Sequence, residues 1–167
     1  YKEDFKVPYE VTEEYVKDLF INKPKIRIKK IGKSPSVGLV NGLYATSTGI
    51  GGLTIIQVMR FPSSKMLELN LTGKQGDVMK ESMHVAKTLA LEIVSQEEGN
   101  TFDIDKTNLH VHCPDGATPK DGPSAGAAIT LALYSIMTGK KINNTVAMTG
   151  EIDLFGNVGA IGGLEAK

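Results

Sequence analysis

The sequence has a single cysteine, no surplus of charge of either sign, and no apolar run long enough to cross a membrane. Each absence removes a class of protein. A lone thiol, Cys113, cannot form an internal disulfide or build a cysteine zinc site, and it fits a reducing compartment. Nineteen basic and nineteen acidic residues cancel, so the chain lacks the global field that would draw it to nucleic acid or to an anionic membrane. No stretch approaches the ~20 apolar residues of a membrane span, and the opening YKEDFKVPYE is unlike a signal peptide. A soluble segment is expected, one that starts mid-protein because it lacks an initiating methionine. What is present is a core: hydrophobic residues make up 41% of 167, enough for one compact domain or two small lobes and too many for a disordered chain.

Punctuation along the chain is regular, without internal repeats or low-complexity runs. VTEEYVKDLF, residues 11–20, reads as a short helix with Thr12 as N-cap, Glu13 and Glu14 at its positive end, and Val16, Leu19 and Phe20 on one face. Strands are expected at IRIKKI from Ile26, VGLVNGLYA from Val37, GLTIIQVM from Gly52 and MLELNLTG from Met66. From Asp77 an amphipathic helix follows, with Val78, Ser82, Val85 or Ala86, Leu89 and Ile93 as its apolar stripe and Gly99 as its stop. NLHVHC, residues 108–113, is a further strand. The segment from Ser124 to Gly139 is a helix apolar almost all round, central to the core, with Gly139 beyond its end. TVAMTG from Thr145 is one more strand. The glycines at 156, 159, 162 and 163 mark turns before a helix starting near Leu164. The sum is α+β: mixed β-sheets packed with a few helices.

One stretch stands apart. PKDGPSAG, residues 119–126, packs two prolines, two glycines and an acid around Ser124, between a strand ending at Cys113 and the buried helix. The serine therefore stands at a helix start, where unpaired backbone N–H groups gather and can stabilise a developing oxyanion beside a nucleophile. Gly122 lets the backbone approach a substrate, while Pro119 and Pro123 hold it rigid. The same stretch also describes an ordinary cap, Asp121 or Ser124, after a proline-rich turn.

A serine nucleophile needs a base. Three histidines exist: His84 in the long helix, and His110 and His112, which share one strand face. Two histidines without a third ligand make a poor metal site, and structural roles describe them equally well. Lysine is the other partner, since desolvation can strip its charge. Bringing its pKa from about 10.4 to near 7 or 8 takes roughly 4 kcal/mol, which a buried site can supply. Among nineteen basic residues, composition picks none.

PKDGPSAG, preceded by HVHCPDGAT and followed by TGEIDLFGNVGAIGGLEAK, resembles the proteolytic domain of the Lon family of ATP-dependent serine proteases, and the likeness extends upstream through VGLVNGLYA, GGLTI and LTGKQGDVMKES. The resemblance implies a Lon-type fold, ribosomal-protein-S5-domain-2-like, as a single domain over residues 1–167 with its C-terminal elements missing. It implies that Ser124 is the nucleophile and that Lys167, closing GGLEAK, is the general base. Thr149 would hold that lysine, and His110 and His112 would line the site. Asp121, before Gly122 and Pro123, would pair with the lysine and keep the site inactive until assembly shifts it. No cofactor or metal is implied for the domain itself. ATP and magnesium belong to an ATPase module that unfolds and threads protein substrates within a homo-hexameric ring. No GxxxxGK[ST] loop occurs here, so that module is absent from this chain. The cytoplasm, or alternatively the mitochondrial matrix, is the implied compartment.

Three positions depart from the family's pattern: Gln57 stands for a strand glutamate, Tyr44-Ala45-Thr46 for Leu-Ala-Trp, and Cys113 for an aliphatic residue. Two other readings stay open at this point. A glycine-rich loop opening a helix also describes small-molecule kinases of the GHMP type that cradle phosphate. A Lon-like module without proteolysis could serve as a ring-forming interaction domain, although both Ser124 and Lys167 are retained.

Overall fold

The computed structural model describes residues 10–22, 32–114, 116 and 118–167. The strand expected at IRIKKI lies outside these residues. The sheet grows from one long antiparallel hairpin, in which β1 (Leu39–Ala45) pairs with β2 (Gly51–Pro62) from Leu39 opposite Gln57 to Ala45 opposite Gly51. Beyond β2, the short β3 (Leu69–Thr72) pairs parallel with β4 (Thr107–His112), and β4 runs antiparallel to β2. On the other edge β5 (Ala147–Met148), only two residues of the expected strand, pairs parallel with β1. The order is β3-β4-β2-β1-β5, a mixed sheet.

Alternation along the strands sends every second side chain to one face. Val40, Ile56, Val58, Leu109 and Val111 are buried there against two helices, α2 (Asp77–Ser95) and α3 (Gly126–Thr138). Burying each large apolar side chain of this set stabilises the fold by about 1.5–3 kcal/mol. α3 packs against β1, β2 and α2 at once, which is why it is apolar almost all round. Its last turn closes with the Gly139 N–H on the Ser135 carbonyl at 2.8 Å.

The buried stripe of α2 is Met79, Ser82, Met83, Ala86, Leu89, Ala90 and Val94. Val78 and Ile93, expected inside, are exposed, because the helix carries two adjacent apolar stripes and packing on α3 buries the one containing the methionines. α1 (Glu13–Leu19) forms as expected, with Thr12 Oγ1 accepting from the Tyr15 N–H at 3.2 Å, yet it buries no residue and leaves Leu19 and Phe20 exposed. The segment read as turns alone contains a small antiparallel pair, β6 (Glu151–Ile152) with β7 (Val158–Gly159). Near Leu164 there is a turn, closed by the Ala166 and Lys167 N–H groups on the Gly163 carbonyl, and no helix among the described residues. No helix among the described residues is long and apolar enough to cross a membrane.

Candidate active site

Ser124 lies in a single 3-10 turn, Pro123–Ala125, that leads into α3. Gly122 makes the entry possible: its φ of +111° belongs to a region that side chains with a Cβ rarely adopt. Pro123 then supplies the φ that the turn needs. The Ser124 carbonyl accepts two hydrogen bonds, from the Gly150 N–H at 2.7 Å and the Thr149 hydroxyl at 3.0 Å, while the Ala127 N–H donates back to the Gly150 carbonyl at 3.0 Å. The bend after β5 is thereby clamped to the start of α3.

The Ser124 side chain makes no capping bond to either helical segment. Its hydroxyl instead lies 2.9 Å from Lys167 Nζ, which also reaches Thr149 Oγ1 at 3.2 Å. The backbone before Lys167 rests on the start of β2 so closely that a Cβ on Gly51 would collide with the Ala166 carbonyl oxygen. Only glycine fits there. Partial burial of the amine pushes the Lys167 pKa below the ordinary lysine range. Because the Thr149 hydroxyl donates to the Ser124 carbonyl, it faces the amine as an acceptor and takes one of its N–H bonds. A neutral Lys167 would then have its lone pair free for the Ser124 proton.

These groups open onto a cleft of about 670 Å³, bordered by residues 43–47 at the end of β1, residues 118–125 and residues 160–163. Gly122 and Pro123 line it, as do Tyr44, Ala45 and Thr46. Asp121 borders it too, but its carboxylate is directed elsewhere than expected. Oδ1 accepts from the Met79 N–H and from the Gly122 N–H, both at 2.9 Å, and is not bonded to Lys167. Gly76, the N-cap of α2, has no side chain to offer, and Asp121 supplies the cap from a distant loop. These bonds hold the Asp121 pKa below the usual carboxylate range.

His110 and His112 are likewise displaced from their expected place. The alternation that buries Leu109 and Val111 turns the histidines to the opposite sheet face, where Thr72 Oγ1 meets His110 Nε2 at 2.8 Å and His112 Nδ1 at 2.7 Å. Neither lines the cleft. Gln57, opposite His112, is exposed on that face, and Cys113 is fully buried beside Gln75. Among the described residues no His, Cys, Asp and Glu side chains cluster as a metal site. Two residues that the sequence marked only as part of GGLTI, with no role of their own, bear on the site: Thr54, which borders the cleft, and Gly51, beneath Ala166.

Ser124 and Lys167 are hydrogen-bonded at the edge of a cleft on a mixed α+β fold, and the chain belongs to the Lon family: residues 10–167 match the Lon protease (S16) C-terminal proteolytic domain. It is 46% identical over 151 residues to a Lon protease homolog of Acanthamoeba polyphaga mimivirus, an alignment covering 87% of this chain and 15% of that protein. It is also 42% identical over 160 residues to Lon protease of Borrelia duttonii, covering 95% of this chain and 19% of that protein. With the mitochondrial Lon protease homolog 1 of Arabidopsis thaliana it shares 40% over 148 residues, covering 89% and 16% respectively. The chain thus spans less than a fifth of these relatives' own length. This membership sets aside the phosphate-binding kinase reading.

Proposed function

We propose that this domain hydrolyses peptide bonds, with Ser124 as nucleophile and Lys167 as general base. The observation that carries the reading is the contact of Lys167 Nζ with Ser124 Oγ at 2.9 Å, in a cleft and with Thr149 holding the amine. Neutral Lys167 takes the Ser124 proton as Oγ forms a bond to the substrate carbonyl carbon. The oxyanion that develops would be met by the Ser124 and Ala125 N–H groups within the Pro123–Ala125 turn, since Pro123 has none and the Gly122 N–H is given to Asp121. The Lys167 ammonium returns its proton to the leaving nitrogen as the C–N bond breaks, leaving an acyl group on Ser124. Water, deprotonated by the same amine, then releases the acid.

The substrates of this reading are unfolded or threaded polypeptides. In the full-length protein they arrive through an ATPase module that uses ATP and magnesium, within a homo-hexamer, in the cytoplasm or the mitochondrial matrix. The ring-forming module without chemistry is the competing reading, and a peptide-cleavage assay separates the two. Wild type cleaves, whereas Ser124→Ala and Lys167→Ala do not, with melting temperatures near that of the parent because the Ser124 hydroxyl caps no helix. Cleavage that survives in Ser124→Ala overturns the assignment, and a wild type without cleavage favours the silent module.

A further inference from the structure

Ser82 is buried in the middle of α2, the single polar member of a stripe otherwise made of methionine, alanine, leucine and valine. A hydroxyl inside a helix ordinarily bonds a carbonyl one turn back on its own helix, as Thr88 does with the His84 carbonyl at 3.1 Å. Ser82 does not. Its Oγ donates instead to the Pro123 carbonyl at 3.3 Å, on the turn that carries Ser124. Gly126 makes room for the contact: a Cβ there would stand 3.0 Å from Ser82 Oγ and 2.8 Å from an Ile152 methyl group. One turn earlier on the same face of α2, the Met79 N–H holds Asp121 at 2.9 Å. The loop from 121 to 123 is thus fastened at both ends to one helix. The Pro123 carbonyl has a second donor, the Gly126 N–H, but that bond lies inside the turn and moves with it.

We infer that Ser82 is a positioning residue for peptide cleavage: by holding the Pro123 carbonyl, its hydroxyl keeps the Ser124 N–H turned to the oxyanion. This inference rests on the peptide-cleavage reading of the same site. The Pro123 carbonyl and the Ser124 N–H belong to one planar peptide unit, and in the trans form they point in opposite directions. A carbonyl drawn toward α2 therefore turns the N–H away from α2. Ser124 is the second residue of its turn, so that N–H has no acceptor within the turn and is left for a ligand. The bond from Ser82 also acts through the peptide's electrons, because a donor on the carbonyl polarises the unit and strengthens the hydrogen bond its N–H gives. Outright removal of an oxyanion donor costs about a hundredfold to a thousandfold in kcat. A donor that stays but loses its anchor costs less, and about tenfold is expected here.

The test compares, in the full chain, Ser82→Ala with Ser135→Ala, which deletes a buried hydroxyl of α3 that bonds the Gly38 N–H and the Lys140 carbonyl outside the cleft. Ser82→Ala should lower kcat about tenfold with KM unchanged, and the pH–rate profile should keep its inflection because Lys167 is untouched. A peptide aldehyde reads the oxyanion directly. Ser124 Oγ adds to its carbonyl carbon, the hydroxyl proton passes to Lys167, and the carbonyl oxygen takes the negative charge. The matching peptide alcohol occupies the cleft without that charge. Ser82→Ala should weaken the aldehyde about tenfold and the alcohol not at all, while Ser135→Ala changes neither. An unchanged kcat in Ser82→Ala, a loss of affinity for both ligands, or an equal fall in kcat in Ser135→Ala overturns the inference, since each leaves Ser82 with no part in the oxyanion. Those results leave the cleavage reading standing. A wild type that binds the aldehyde no more tightly than the alcohol overturns the cleavage reading, and this inference with it.

Discussion

Lys167 Nζ lies 2.9 Å from Ser124 Oγ across 43 residues of chain, and burial lowers the pKa of the amine. The neutral amine is the form that accepts a proton, so kcat/KM should rise with pH, about tenfold per unit on the acid side of the amine's pKa. Because the shift is downward, the inflection falls below the ordinary 10.5. Lys167→Arg, which cannot deprotonate, should be inactive across the whole range. A pH–rate profile checks both, and a rate that falls as pH rises would remove Lys167 from the role of base.

Thr149 bonds both partners of this pair, the Ser124 carbonyl at 3.0 Å and the Lys167 amine at 3.2 Å. Thr149→Val keeps the shape and deletes both bonds. The expected result is about a hundredfold loss in kcat with little change in KM, since misplacing a reacting group costs on that scale. Thr149→Ser should recover most of the activity, and steady-state kinetics of the two variants tell a positioning role from a packing one.

Gly51 faces the Ala166 carbonyl oxygen at a distance that excludes a methyl group. The obstacle is backbone on both sides, so Gly51→Ala must displace the segment that carries Lys167. Peptide cleavage is expected to collapse while the main thermal transition stays, because the cluster of β2, β4, α2 and α3 does not include this contact. Parallel assays of activity and melting separate the two effects.

Asp121 caps α2 from the loop that precedes Ser124, and its pKa is lowered chiefly by the Met79 N–H and then by the Gly122 N–H. A carboxylate with a depressed folded pKa contributes stability that is present above its unfolded value of 3.8 and lost as pH falls through the lower folded value. Wild type should therefore melt above Asp121→Ala near neutral pH, and the gap should close below pH 3.8. Melting curves of the two proteins from pH 7 downward provide the check.

The two long helices were legible in the sequence because their 3.6-residue periodicity is local. Which stripe of α2 turns inward was not, since Val78 and Met79 are both apolar and only the position of α3 chooses between them. β6 and β7 have two residues each, too short to show alternation. The pairing of Ser124 with Lys167 was suggested by family resemblance and by nothing in the composition, which treats Lys167 like any other lysine. His110 and His112 were expected at the cleft on the same resemblance, but their face of β4 is set by Leu109 and Val111, which the core requires. Asp121 illustrates the same limit: the acid was visible, and its partner at the start of α2 was 42 residues away. Thr54 lies within the quoted GGLTI, but that its hydroxyl is buried and unpaired is a property of the fold and not of the strand's pattern.

The most direct measurement is covalent labelling by a serine-reactive fluorophosphonate, mapped by mass spectrometry. The account predicts one adduct, on the peptide carrying Ser124, forming faster as pH rises and failing to form in Lys167→Gln. An adduct on another serine, or labelling of Ser124 at an unchanged rate in Lys167→Gln, would contradict it.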